Sequence, residues 1–158
     1  MKTVAVICEY NPFHNGHARQ LRQMAAVGTT VCVMSGNYVQ RGEPAICDKW
    51  TRARAAALCG ADLVLELPVT YALRSAEGFA DGAVDLFTKL GCVDTLAFGC
   101  EETDEEKILA TAKALLTPEF PGFLKIELAV GRSFPAARQL ALERLGADAE
   151  LLRAPNNI

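Results

Sequence analysis

His14 and His17, the only two histidines in the chain, stand three residues apart in the segment Asn11-Pro12-Phe13-His14-Asn15-Gly16-His17. At that spacing both imidazoles lie on one side of a helical turn, where each can donate a hydrogen bond to the same ligand. A helix starting here adds unpaired amide groups and the positive end of its macrodipole, a combination that attracts phosphate. Gly16 has no Cβ, so a flat base or a phosphate can come close to the backbone. Pro12 stiffens the run into the helix, and the side-chain amide of Asn11 is able to tie the loop. Donors so placed can stabilise charge growing on an α-phosphate and on a departing pyrophosphate. Capping or simple solvation is the plain alternative for any His-x-x-His pair. Here both histidines fall in one polar loop straight after an apolar run, which favours the ligand role.

Such a grip needs a strand to aim it. Val4-Ala5-Val6-Ile7-Cys8 is a continuous apolar run of strand length, broken by Glu9-Tyr10-Asn11-Pro12. A helix is expected over about 15–26, with Leu21 and Met24 or Ala25 inward and Gly28 closing it. Residues 30–34 read as a second buried strand that Ser35-Gly36-Asn37 ends. Residues 36–47 lack periodicity, carry Gly36, Gly42 and Pro44, and are expected to be a loop. Asp48 suits the N-cap of a helix over about 49–59, stopped by Gly60. Leu63-Val64-Leu65-Glu66-Leu67 is a third strand, and Pro68 ends its pairing. Ser75 can cap a helix on which Phe79, Ala83, Phe87 and Leu90 share a face before Gly91. Residues 95–98 form a short fourth strand ending at Gly99. Thr103 and Glu106 make a capping box for a helix to about Leu116. Helical stretches near 119–129 and 134–145 follow, the second begun by Ser133 and Pro135.

Apolar strands separated by helices imply a parallel sheet covered on both sides, the doubly wound α/β class, and the length fits one domain over 1–158. Such sheets bind ligands at the carboxyl ends of their strands, where polar, glycine-containing segments follow strands one, two and four. With 51% hydrophobic and 22% charged residues the chain is expected to fold and not to be disordered. No run of 18 apolar residues exists, so neither a spanning helix nor a membrane partner is expected, and the N-terminal run reads as a strand, not a signal peptide. Cysteines stand at 8, 32, 47, 59, 92 and 100 without a Cys-x-x-Cys pair, which argues against a zinc site or disulfide framework and for a reducing cytoplasm.

Net charge is only −3, but Arg19, Arg22, Arg41, Lys49, Arg52 and Arg54 face only Glu43 and Asp48 over that stretch, a local field suited to an anionic ligand. The acidic run 101–106 reads as a helix start favoured by the macrodipole. Ser35, Asn37, Gln40 and Arg41 follow strand two and can line a ligand pocket (an acyl or pyrophosphate pocket under the resemblance given below), with loop capping an open alternative for Ser35 and Asn37. Arg41 and Lys49 can meet phosphate or remain solvated. Glu66 either faces the site or pairs with a nearby base.

The segment Glu9-Tyr10-Asn11-Pro12-Phe13-His14-Asn15-Gly16-His17 resembles the His-x-Gly-His signature of the nucleotidyltransferase superfamily. Longer blocks narrow the resemblance: Met34-Ser35-Gly36-Asn37-Tyr38-Val39-Gln40-Arg41-Gly42-Glu43-Pro44-Ala45-Ile46, Asp48-Lys49-Trp50, Gly60-Ala61-Asp62-Leu63-Val64-Leu65-Glu66-Leu67-Pro68, Phe98-Gly99-Cys100-Glu101 and Pro155-Asn156-Asn157-Ile158. In collinear order over most of the chain they resemble the bacterial tRNA(Met) cytidine acetate ligase family. That resemblance implies a Rossmann-like nucleotidyltransferase fold and an adenylate-forming ligase. Such an enzyme activates acetate, or another small carboxylate, with ATP and transfers the acetyl group to N4 of the wobble cytidine of elongator tRNA(Met). It implies an ATP loop made of Ile7, Cys8, Glu9, Tyr10, Asn11, Pro12, Phe13, His14, Asn15, Gly16, His17, Ala18, Arg19 and Gln20, with His14 and His17 catalytic. It implies further nucleotide contacts from Gly99 and from Asn156 or Asn157, magnesium accompanying the phosphates, and no metal held by the protein itself. Arg41 and Lys49 would then approach tRNA. Residues 154–158 read as a loop cut short, so the expectation is the N-terminal catalytic part of a longer protein. Two other readings stay open: adenylyl transfer to a small phosphate ester, and binding of nucleotide or tRNA without catalysis.

Overall fold

The computed structural model describes residues 1–40, 42–100 and 104–153, and its packing divides the chain into two compact units, Met1–Phe98 and Gly99–Ile158. The first holds all four strands: β1 (Thr3–Cys8), β2 (Thr29–Ser35), β3 (Leu63–Leu67) and β4 (Thr95–Ala97). They form one parallel sheet in the order β3-β2-β1-β4, with Val6 opposite Cys32 and Ala97, and Val33 opposite Leu65. Parallel neighbours require crossovers. These are α1 (Asn15–Ala25) between β1 and β2, α2 (Lys49–Leu58) between β2 and β3, and α3 (Val69–Ala72) with α4 (Ala76–Leu90) between β3 and β4.

The pleat sorts the side chains of each strand between two cores. Val4, Val6 and Cys8 of β1 and Cys32 and Met34 of β2 pack with Leu21 and Met24 of α1 and Ala56 of α2. Ala5 of β1, Val31 and Val33 of β2 and Leu67 of β3 pack instead with Ala72 of α3 and Ala83 and Phe87 of α4. Helices therefore cover both faces, as the doubly wound class requires. Leu21 is fully buried, worth about 2 kcal/mol of transfer free energy. The inner strands β1 and β2 are covered on both faces, whereas the edge strands are not: Leu63 and Leu96 remain exposed.

The helix ends follow local chemistry. The Asp48 carboxylate accepts from the amides of Trp50 and Thr51, Ser75 accepts from Gly78, and Gly91 closes α4 in the left-handed region at φ 65°. Two expectations need correction, and one open choice is settled. Gly28 does not close α1 by a left-handed turn; the cap is Ala26, and Gly28 is small because a Cβ would stand 2.0 Å from the Lys2 carbonyl oxygen. The inward residue of α1 beside Leu21 is Met24, while Ala25 is exposed. The N-cap before Glu105 is Asp104, not Thr103: its carboxylate accepts from the amides of Glu106 and Lys107, and its charge suits the helix dipole. Thr103 itself lies outside the described residues.

The second unit contains α5 (Glu105–Leu115), α6 (Phe120–Ala129), α7 (Phe134–Arg144) and a 3-10 turn over Ala149–Arg153 that the sequence pattern did not signal. Its core gathers Phe120, Ala141, Leu142 and Ala149. The buried Glu127 carboxylate of α6 accepts from Arg132 and from Arg144, fastening α6 to the end of α7. No helix among the described residues is long and apolar enough to cross a membrane.

Candidate functional site

The chain moves from β1 to β2 to β3 on one side and returns to place β4 on the other side of β1. The strand order reverses beside β1, and a ligand crevice is expected at the carboxyl ends there. The loop leaving β1 at Cys8 begins at that point.

Its course is set by Tyr10, which is buried and adopts φ 49°, the left-handed region that a non-glycine residue enters at a cost of about 1–2 kcal/mol. The phenol lies 3.4 Å from Cys32 Sγ, and burial first, with Cys8 and Cys32 after it, pushes its pKa far up, so it stays protonated. From this anchor the Tyr10 ring meets Phe13 edge-on at 4.9 Å and His17 at 4.8 Å. The turn after Tyr10 carries His14 to the mouth of α1.

His14 is the N-cap of α1, with extended backbone at φ −142° and ψ 176°. Its Nδ1 accepts from the Gly16 amide at 3.1 Å, and the Nδ1 of His17 accepts from the His14 amide at 3.3 Å. The pair thus forms a reciprocal capping box made of imidazoles, in place of the usual hydroxyl and carboxylate. The rings stack with centroids 3.6 Å apart and planes 21° from parallel. An Nδ1 that accepts cannot carry the proton, so both neutral rings carry it on Nε2. Burial, and secondarily His14, holds the pKa of His17 below its ordinary value, which keeps this ring neutral at neutral pH. The capping bonds thus leave the Nε2–H of each ring uninvolved.

Around the pair, the loop is tied to the segment after β2. Glu9 Oε1 accepts from the Gln40 amide at 2.7 Å, and Asn11 Oδ1 accepts from the Ile46 amide at 2.7 Å. Asn37 acts as a loop cap, its Oδ1 accepting from the Lys49 amide at 3.2 Å. Lys49 Nζ pairs with Glu66 at 2.6 Å, which resolves the open question about Glu66 in favour of a basic partner.

The remaining expected residues divide by exposure. Asn15, Gly16 and Arg19 are exposed at the start of α1, Pro12 is exposed in the loop, and Gln20 is half-buried. Cys8 and Ala18 are buried, and Ile7 packs against the core that α3 and α4 cover, so these side chains support the loop from below. Ser35 lies inside β2 and not in the loop; it is fully buried, and its Oγ has no partner among the described residues. Gly99 is exposed and opens the second unit. Arg41, Asn156 and Asn157 lie outside the described residues.

One residue of this region was not singled out by sequence reasoning. Arg52 of α2 is 1% exposed. Its Nε donates to the Cys47 carbonyl at 3.0 Å, its Nη1 to those of Glu9 at 2.5 Å and Ser35 at 3.2 Å, and its Nη2 to that of Gly36. A signal was available: Arg52 lies four residues before the fully buried Ala56, on the inward stripe of α2.

A parallel sheet with an imidazole-capped helix at its switch point is the arrangement of a nucleotidyltransferase. The chain belongs to the HIGH Nucleotidyl Transferase family, whose profile matches residues 1–158. Among curated proteins it is 46% identical to the tRNA(Met) cytidine acetate ligase of Acetivibrio thermocellus and 48% identical to that of Caldicellulosiruptor saccharolyticus, in each case over 100% of this chain and 40% of the relative. The chain therefore spans about two fifths of the length of these relatives. Among solved structures, Thermotoga maritima TmcAL bound with alpha-thio ATP superposes with a TM-score of 0.89 at 42% identity, over 99% of this chain and 41% of that one. The apo form of the same protein gives the same TM-score and identity.

Proposed function

We propose that residues 7–20 hold ATP and that His14 and His17 donate from Nε2 to its phosphate oxygens during adenylate formation. The observation that carries this reading is the reciprocal imidazole capping, which spends both Nδ1 atoms on the helix and leaves both Nε2–H groups free at the sheet's switch point. In the reaction a carboxylate oxygen bonds to the α-phosphorus, the bond to the β-phosphate bridging oxygen breaks, and pyrophosphate leaves with the electron pair. A carboxylate is already a competent nucleophile, so no general base is needed. The two donors lower the energy of the charge that builds on the phosphates. Magnesium accompanies the phosphates of ATP as part of the substrate.

The names of the relatives, and the alpha-thio ATP held by the similar structure, support the rest of the proposal. The carboxylate is acetate, and the acetyl group passes to N4 of the wobble cytidine of elongator tRNA(Met). The ATP-binding module runs through the whole span of 1–158 that the family profile matches. Gly99 and one of Asn156 or Asn157 add nucleotide contacts. Arg41, with Ser35, Asn37, Gln40 and Lys49, borders the substrate side, Lys49 after release from Glu66. All six cysteines are free, in keeping with a reducing cytoplasm.

Acetate-dependent exchange of labelled pyrophosphate into ATP tests the proposal. Exchange that needs a phosphate monoester in place of acetate would convert it into nucleotidyl transfer to such a substrate. ATP binding with exchange at background for every carboxylate and phosphate ester would leave a nucleotide-binding module without this chemistry.

A further inference from the structure

Arg52 is the one fully buried guanidinium among the described residues, and it meets backbone alone. Its acceptors are the carbonyls of Glu9, Ser35, Gly36 and Cys47. Ser35 ends β2, Glu9 follows β1 by one residue, and Gly36 and Cys47 bracket the segment between β2 and α2. One planar group thus collects the carboxyl ends of the two inner strands and both ends of the loop that Glu9 and Asn11 tie to the histidine segment. Among the described residues it forms no ion pair with a carboxylate. Burial lowers its pKa, and the nearby charges of Glu9 and Asp48 offset part of that cost without a direct ion pair.

We propose that Arg52 is the positioning residue of the nucleotide loop: by holding the Glu9 carbonyl it keeps Tyr10 in its left-handed turn, and Tyr10 in turn sets the stacked His14–His17 pair. The linkage is short. Glu9 and Tyr10 share the peptide whose oxygen Arg52 Nη1 grips at 2.5 Å, and the Tyr10 ring lies 4.8 Å from that of His17. Without the grip the Glu9 carbonyl loses its guanidinium donor, and the unfavourable left-handed φ of Tyr10 is held only by the side-chain ties of Glu9, Tyr10 and Asn11. Lysine cannot replace the clamp, because an ammonium is a compact point donor and not a planar fork.

The test compares Arg52→Met and Arg52→Lys with Arg54→Met, a control on the exposed side of α2. The readouts are circular dichroism, the NMR titration of the His17 ring, and the Kd for ATP. In a folded Arg52→Met protein the His17 midpoint is expected to rise toward the ordinary imidazole value, as the ring leaves its partly buried stack. ATP binding should weaken roughly tenfold or more, on the scale of one lost charge-assisted bond. Arg52→Lys should fall between, while Arg54→Met, which removes an exposed charge from the same basic stretch, should leave the His17 midpoint unchanged and weaken ATP binding less than Arg52→Met. Added guanidinium ion, but not sodium at equal ionic strength, should restore both readouts to Arg52→Met. The ATP readout rests on the nucleotide-binding reading above, whereas the histidine readout does not. A folded Arg52→Met protein with an unchanged His17 midpoint overturns the positioning role even if ATP never binds. Should both Arg52 variants fail to fold, the Nε–H signal of Arg52 in the unmodified protein decides. It is expected to exchange slowly and to shift on ATP addition, and a signal unmoved by bound ATP refutes the proposal.

Discussion

Replacing His14 by asparagine or by alanine separates two jobs that the structure gives to one ring. The Nδ1 atom caps α1 by accepting from Gly16 at 3.1 Å, while Nε2 has no partner among the described residues. Asparagine is among the strongest N-caps, and its Oδ1 can take the same amide, so His14→Asn should keep thermal stability within about 1 °C of the unmodified protein. His14→Ala leaves that amide uncapped, at a cost of about 1 kcal/mol, or roughly 3 °C in Tm for a chain of this size. Neither replacement restores a donor where the imidazole Nε2–H stood. Loss of one preorganised donor costs about 10²–10³ in rate, so both variants should lose acetate-dependent pyrophosphate exchange by that factor. Differential scanning calorimetry and the exchange assay, run on the same preparations, give the comparison. An Asn variant exchanging within about threefold of the unmodified protein would show that His14 only caps. Equal Tm values for the two variants would refute the capping geometry.

Three more outcomes follow from distances in the first unit. Gly16→Ala places a Cβ 2.9 Å from His14 Cε1, so the ring must move aside; ATP affinity should fall about tenfold in calorimetric titration, while Tm holds or rises because alanine favours the helix by up to about 1 kcal/mol. Gly28→Ala drives its Cβ into the backbone of Lys2 and should cost about 3 kcal/mol or more, read as a large drop in the denaturation midpoint. As the folded-state pKa of His17 is depressed, the unfolded chain takes up the proton first as pH falls below about 6.5. Stability contributed by this ring is therefore complete above that pH and lost progressively toward the lower folded value. Melts between pH 8 and 5 should show the loss, and His17→Asn should flatten it; an unchanged slope in that variant would count against the assignment.

Much of the first unit was legible because its signals are local. The third strand, the Asp48 and Ser75 caps and the Gly91 stop each depend on residues within about four positions, and all stand as the pattern indicates. Asn11 was read as a tie for its loop, yet the amide it holds belongs to Ile46, 35 residues on. The spacing of Thr103 and Glu106 pointed to a capping box, whereas Asp104 caps the helix with one carboxylate oxygen accepting from two amides, a geometry that spacing alone does not reveal. Ser35 was read as following strand two, at the border of the loop. It is fully buried because β2 continues in register with β3 as far as Leu67.

By itself the sequence determined the histidine pair at the start of a helix, its place after a buried strand and the alternation of strand and helix, since each rests on side-chain chemistry and short-range periodicity. Only the tertiary structure decided that β4 returns beside β1, and so put the histidine loop at a switch point. It also decided that Arg52, one basic residue among six in that stretch, turns inward to hold carbonyls as far as 43 residues away. The reason is physical. A carbonyl at a strand end carries no side-chain signature, and its need for a donor exists only once distant strands have been paired.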